Sequence, residues 1–238
     1  MTLDTLPAHH GGAEHLARLL ARALLTGHWQ PGDVFPKELD IGKHFAVSRN
    51  QVRNALASLT AAGLIERTAG RGTLVREMSE WHLLDPLMSE WMTGLVNLDP
   101  QLVRAIYAFR FSAEPTVARL AAQAATGDDI TQLEAAFEGM RCSAGNPDAR
   151  AQHIEFDVAF HDVIYQATHN LVWRQMGHLL RPSIMALVYR SQHDIKTLDD
   201  SLTRHRHVLD AIKAGDINAA DTAAREVLRR TAIDLGIV

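Results

Sequence analysis

Residues 36–76 read PKELDIGKHFAVSRNQVRNALASLTAAGLIERTAGRGTLVR, and this stretch decides the first domain. Leu39, Ile41, Phe45 and Val47 supply the apolar side of a short segment and its turn. Ser48 suits an N-cap, because its hydroxyl can accept from a backbone N–H that has no partner at a helix start. Val52, Ala55, Leu56 and Leu59 then recur at helical spacing. The spacing predicts a second helix with Arg49, Asn50, Gln51 and Arg53 on its opening turns, Arg49 and Arg53 lying four apart on one face. Gly63 ends that helix, and Leu64–Thr68 and Thr73–Val75 predict two strands around Ala69-Gly70-Arg71-Gly72. Helix, turn, polar recognition helix and basic-tipped wing together predict a DNA-reading unit, with Ser48, Arg49, Asn50, Gln51, Arg53, Arg71, Gly72 and Thr73 as its DNA-binding residues. An ordinary helical hairpin on a β-ribbon would share the shape, but it gives no purpose to the cap, the paired arginines and the basic glycine turn.

Outward from that unit, charge is divided along the chain. The whole protein has 238 residues and a formal net charge of −4. Residues 1–78 hold 9 Lys+Arg against 7 Asp+Glu, and residues 79–238 hold 15 against 21. The basic residues gather where a nucleic acid would need them. Cys142 is the only cysteine, so no intrachain disulfide forms and a reducing cytoplasm is the expected location. The first twelve residues have neither a basic n-region nor an apolar h-region, and no apolar run reaches bilayer-spanning length, so no membrane is expected.

A helix is predicted over about 13–26, with Leu16, Leu19, Leu20, Ala23 and Leu24 as its buried stripe. After the wing, Glu77-Met78-Ser79-Glu80 reads as a junction. Beyond it nearly every stretch has helical period, with candidate helices at about 83–96, 100–125, 128–143, 147–168, 171–191, 197–214 and 216–235. The fold class expected is mainly α: a winged helix-turn-helix over 1–78, then an all-α helical bundle over 79–238 that binds an effector and dimerises.

Asp157 and His161 sit four apart, which puts a carboxylate and an imidazole on one helix face. Such a pair can chelate a metal or form a helix-surface ion pair. Phe156, Phe160 and Ile164 make a neighbouring apolar stripe, and His153, one turn earlier, reads as solvated or as a satisfied rim histidine. Arg110 and Glu114 have the same spacing, so an intrahelical salt bridge and a pocket role both stand.

A resemblance joins these pieces. Pro36, Val47-Ser48-Arg49, Val52-Arg53, Ala55-Leu56, Leu59, Gly63-Leu64-Ile65 and Gly70-Arg71-Gly72-Thr73 match the winged-helix pattern of the GntR-type transcription factors, so the first third of the chain resembles that family. Leu39 departs from it, standing where members often carry an arginine for a base contact. Leu102, Arg110, Glu114-Pro115, Ala118–Ala122, Asp157, His161, His205, Leu209–Ile212 and Gly215-Asp216 resemble the helical effector domain, FCD, of the FadR subgroup. The resemblance implies a divalent metal, zinc first with nickel or manganese as alternatives, on Asp157, His161 and His205. The family's fourth ligand position falls on Val227, which has no donor atom, and His207 lies on another side of its helix. The resemblance also implies that Arg110 faces the effector's carboxylate, a task its planar fork suits. Arg181 and Ser183 are further candidate contacts. Trp81–Trp91 is similar to the first effector-domain helix of regulators of sugar-acid catabolism, galactonate regulators among them.

The expected function is a ligand-responsive transcriptional regulator and not an enzyme. Family resemblance adds a repressor, a homodimer on a pseudo-palindromic double-stranded DNA operator, and release by a small carboxylate such as a sugar acid. The alternative is a metal-dependent enzyme, because two histidines and a carboxylate also bind iron in non-haem oxygenases. Those sites normally sit in β-barrels, and the chain shows no nucleophile–base pair, P-loop or dinucleotide fingerprint.

Overall fold

The computed structural model describes residues 3–68, 70–95, 97–191 and 198–237. The first unit opens with helix α1, Ala13–Leu25, which buries Leu16, Leu19, Leu20, Ala23 and Leu24 as its period requires. Each buried leucine contributes about 1.5–3 kcal/mol. Helices α2, Glu38–His44, and α3, Arg49–Ala61, follow, and then the antiparallel strands β1, Ile65–Thr68, and β2, Gly72–Val75. Ile65 pairs with Val75 and Thr68 with Gly72, which fixes the hairpin register. Ala69, in the turn between them, lies outside the described residues.

The apolar side expected for α2 is only partly buried. Ile41 and Phe45 enter the core, whereas Leu39 is 55% exposed. A seven-residue helix shows the core less than two turns, and Leu39 lies on its other side. The α2–α3 turn also places Ala46 at φ 52, a left-handed conformation that the sequence does not announce with glycine or asparagine.

Helix α4, Pro86–Met92, is capped by the Asp85 carboxylate, which accepts from Leu87 N. It packs on α1. Arg22 Nε donates to Trp91 O at 3.1 Å and its Nη2 to Thr93 O, while Arg18 pairs with Glu90. The chain forms two compact units, Met1–Leu102 and Val103–Val238.

The second unit holds most of α5, Pro100–Ala124, then α6, Gly127–Ser143, α7, Arg150–Ala167, α8, Leu171–Ser191, α9, Leu198–Ala214, and α10, Ile217–Leu235. Its core joins Val117 and Ala121 of α5, Leu133, Phe137 and Met140 of α6, Val158 and Phe160 of α7, Leu209 and Ile212 of α9, and Ala220 and Val227 of α10. Gly139 lets α6 approach α7 closely, since a Cβ there would lie 2.3 Å from the Phe156 ring. The mainly α class is observed, with a single two-stranded sheet among the described residues. Among those residues no helix is long and apolar enough to cross a membrane.

Candidate functional site

At the start of α3 the Ser48 hydroxyl accepts from Gln51 N at 3.3 Å, and Ser48 N donates to the Gln51 side chain at 3.0 Å. This reciprocal capping box holds the helix start rigid and occupies both side chains. Arg49, Asn50 and Arg53 remain exposed on the same turns. In the wing, Arg71 and Gly72 are exposed and Thr73 is partly buried. Gly70 and Gly72 take φ 75 and 88, a conformation other residues enter only with strain. Arg67 on β1 pairs with Glu38 on α2, tying the wing to the first helix of the motif. Recognition helix and wing thus share one small unit whose exposed cations can meet a polyanion.

The second site lies inside the helical unit. Helix α7 presents His153, Asp157, His161 and Tyr165 at four-residue intervals, all buried. Asp157 and His161 are 3% and 7% exposed, so the helix-surface ion pair is not what the fold builds. His161 Nε2 lies 3.5 Å from Asp157 Oδ1, and His205 Nε2, from α9, lies 4.0 Å from Asp157 Oδ2. Ligand atoms of these three residues all fall within 4.8 Å of one another. His207 is exposed, away from this group.

Neighbouring groups orient the histidines. His205 Nδ1 donates to Ser201 O at 2.8 Å, which leaves the Nε2 lone pair with no hydrogen-bond partner among the described residues. His161 Nδ1 faces Glu114 Oε2 at 3.4 Å, which leaves its Nε2 toward Asp157. Metal-binding imidazoles need this support from a carbonyl or carboxylate on the far nitrogen. Burial, with the Arg110 charge adding to it, lowers the His161 pKa to about 3, so its imidazole is neutral at physiological pH. These three residues therefore fit a divalent ion with open positions. Val227 lines the same cavity and offers no fourth donor.

His153 departs from expectation. It is 3% exposed, with Nδ1 2.9 Å from Met140 O, because the close α6–α7 approach encloses it. Burial lowers its pKa. It is neither solvated nor on a rim.

Arg110 is 1% exposed on α5. Its Nε donates to Glu114 Oε1 at 2.6 Å and its Nη2 to Glu114 Oε2 at 3.3 Å. Burial opposes its charge, but the Glu114 carboxylate more than offsets this and the guanidinium pKa is raised. The intrahelical salt bridge is therefore what the fold builds at Arg110, and its partner Glu114 lines the neighbouring cavity. Glu114 touches Arg110 on one side and His161 on the other, so the groups form a continuous series Arg110, Glu114, His161, Asp157, His205. The cavity beside them, lined by Glu114, Phe160, His161, Tyr165, His205 and Val227 among others, has a volume of about 20 Å³. That is room for one water-sized occupant. Arg181 on α8 is partly buried, and the Ser183 side chain lies outside the described residues.

Sequence reasoning missed Glu114 as the partner of His161, and Tyr165 as a lining residue. Extending the four-residue rhythm of α7 one step past His161 would have found Tyr165.

Residues 13–75 match the description "Bacterial regulatory proteins, gntR family", and residues 105–230 match the FCD domain. The chain belongs to the gntR family of bacterial regulators, in its FCD-containing branch. This gntR-family chain is 34% identical to the galactonate operon transcriptional repressor of Escherichia coli, over 86% of its own length and 88% of that protein. It is 26% identical to the Glc operon transcriptional activator of the same organism, over 91% and 85%. The fold is shared with Lar of Listeria monocytogenes at a TM-score of 0.65 and 15% identity, covering 98% of this chain and all of that one. The gntR-family chain is thus a DNA-binding transcriptional regulator with a ligand-responsive helical domain.

Proposed function

We propose that this regulator represses a catabolic operon and leaves its operator when a small hydroxylated carboxylate, a sugar acid, binds the helical domain. The observation that carries the reading is the buried series Arg110, Glu114, His161, Asp157 and His205 beside one cavity. A cation and an open-sided metal position side by side suit an anion rich in oxygen donors. The relative named as a galactonate operon repressor supports both the ligand class and the direction of control.

Residues 1–78 read the operator, and residues 79–238 bind the effector and pair two copies. Arg49, Asn50 and Arg53 contact base edges and phosphates in the major groove, with Ser48 and Gln51 at the helix start beside them. Arg71, Gly72 and Thr73 bring the wing to the duplex. One recognition helix reads few base pairs, so a homodimer on a pseudo-palindrome supplies the specificity. Asp157, His161 and His205 hold the divalent ion, zinc before nickel or manganese. When bound, the ion offers a Lewis-acidic point to effector oxygens. A site of three protein ligands binds more weakly than one of four.

A sugar acid far exceeds a cavity of 20 Å³. Entry therefore separates helices, and the effector stabilises a wider arrangement of the bundle. This coupling is what changes operator affinity, since a ligand shifts a conformational equilibrium only by its preference for one state. The protein works in the cytoplasm, where operator and metabolite meet, and no catalytic step is assigned to it.

The deciding experiment is a mobility shift with DNA from upstream of the adjacent genes, in the presence of D-galactonate, D-gluconate or L-lactate. Release by an aldonate at concentrations where glucose has no effect supports the reading. Retention of the operator in every aldonate tested overturns it.

A further inference from the structure

One buried donor in the wall of this cavity, and a second behind its lining residue Glu114, have no acceptor among the described residues. Arg110 spends Nε and Nη2 on Glu114, and its Nη1 is without a hydrogen-bond partner. Tyr165 is 1% exposed and lines the cavity, and its hydroxyl is also without a partner. Buried polar atoms are nearly always satisfied, so an orphan in the cavity wall with a second just behind Glu114 marks a place that a ligand fills. Both are donors, which defines what the ligand must bring. Burial, and then the charge of Glu114, push the Tyr165 pKa above its ordinary value, so the hydroxyl keeps its proton.

Glu114 already fills the side edge of the guanidinium. We infer that Tyr165 Oη and Arg110 Nη1 together form an anion clamp, and that a carboxylate entering this cavity accepts from both. Tyr165 then decides the ligand class. A phenol donates without adding charge, so it favours an anion in a site where Glu114 and Asp157 already supply negative charge. The inference rests on the reading of a small carboxylate as effector, and it adds the residue that reading lacks.

The test is calorimetric binding of D-galactonate, D-gluconate and L-lactate to wild-type protein and to Tyr165→Phe, with neutral galactose as control. Melting temperature and metal content are measured on both proteins. Because the hydroxyl has no partner among the described residues, Tyr165→Phe is expected to melt at or above the wild-type temperature and to bind metal equally. Affinity for the carboxylate is expected to fall on the order of tenfold or more, as for a lost hydrogen bond to a charged group. Arg110→Lys, which keeps the charge but removes Nη1, should weaken the same ligands. Equal carboxylate binding by Tyr165→Phe and wild type overturns the clamp and leaves the effector reading intact. A marked drop in melting temperature without ligand gives the hydroxyl a structural role and also overturns it. If wild type binds none of the carboxylates, or binds galactose as well as galactonate, the effector reading falls with the clamp.

Discussion

Glu114 holds the Arg110 guanidinium from the side, 2.6 Å from Nε and one turn further along the same helix. Both side chains are almost wholly buried, at 1% and 7% exposure. An exposed pair at this spacing is worth a few tenths of a kcal/mol. Inside the bundle the same pair becomes a rule of mutual dependence, because neither charge is tolerated there alone.

Removing one partner should therefore cost far more than removing both. Glu114→Ala is expected to lower unfolding free energy by about 3–5 kcal/mol, since it strands the guanidinium. Arg110→Met combined with Glu114→Leu should recover most of that loss. Urea titration followed by circular dichroism checks both, and a double variant as unstable as the single one would contradict the argument.

Arg49 and Arg53 of α3 are exposed, and among the described residues neither forms an ion pair. Arg49→Ala and Arg53→Ala should leave helix content and melting temperature unchanged while specific operator binding falls, by about 1–3 kcal/mol for each lost base contact. Binding measured over a range of salt separates the two kinds of contact. A lost phosphate contact flattens the salt dependence, whereas a lost base contact changes sequence preference.

For the metal position, Asp157→Ala and His205→Ala should each lower the zinc content found by elemental analysis. A chelator should lower the wild-type melting temperature. Val227→His places a fourth donor in the cavity wall and should tighten zinc binding. Wild-type protein whose melting is unmoved by zinc, nickel or manganese would remove the metal from this account.

Asp129 offers a test of pH dependence outside the cavity. Its Oδ2 accepts from Thr126 N at 2.8 Å and Thr126 Oγ1 at 2.5 Å, and lies 2.8 Å from His169 Nε2. Burial alone would raise the pKa, but the Thr126 and His169 bonds outweigh it and the carboxyl is held below its ordinary value. A depressed folded-state value means the contribution is present above the ordinary pKa and is lost as pH falls below it. Asp129→Ala should destabilise by about 1–2 kcal/mol at neutral pH, and the gap from wild type should narrow in acid below the ordinary carboxyl range.

Gly63→Ala should be among the most damaging small substitutions in the first unit. The residue has φ +74, and a Cβ would lie 2.5 Å from the backbone oxygen of Glu80. Positive φ and a clash with main chain together predict a loss of roughly 2 kcal/mol or more, read as a lower melting temperature.

Local sequence determined the elements. The Ser48 cap, the helical spacing of Val52, Ala55, Leu56 and Leu59, and the glycines at 63, 70 and 72 act over a few residues, and short-range rules read them directly. The same rules brought Asp157 and His161 onto one face and made Arg110 and Glu114 neighbours. Tertiary structure decided the rest. Leu39 faces outward and His153 inward because burial depends on which helix packs where, and the close contact of α6 with α7 is not written in the period of either helix. His205 reaches Asp157, some fifty residues away in sequence, only when the bundle assembles, and Tyr165 and the Nη1 of Arg110 lose their water only when it closes over them. Spacing sets which residues share a helix face, whereas desolvation, and the electrostatics that follow from it, exist only after those faces have met.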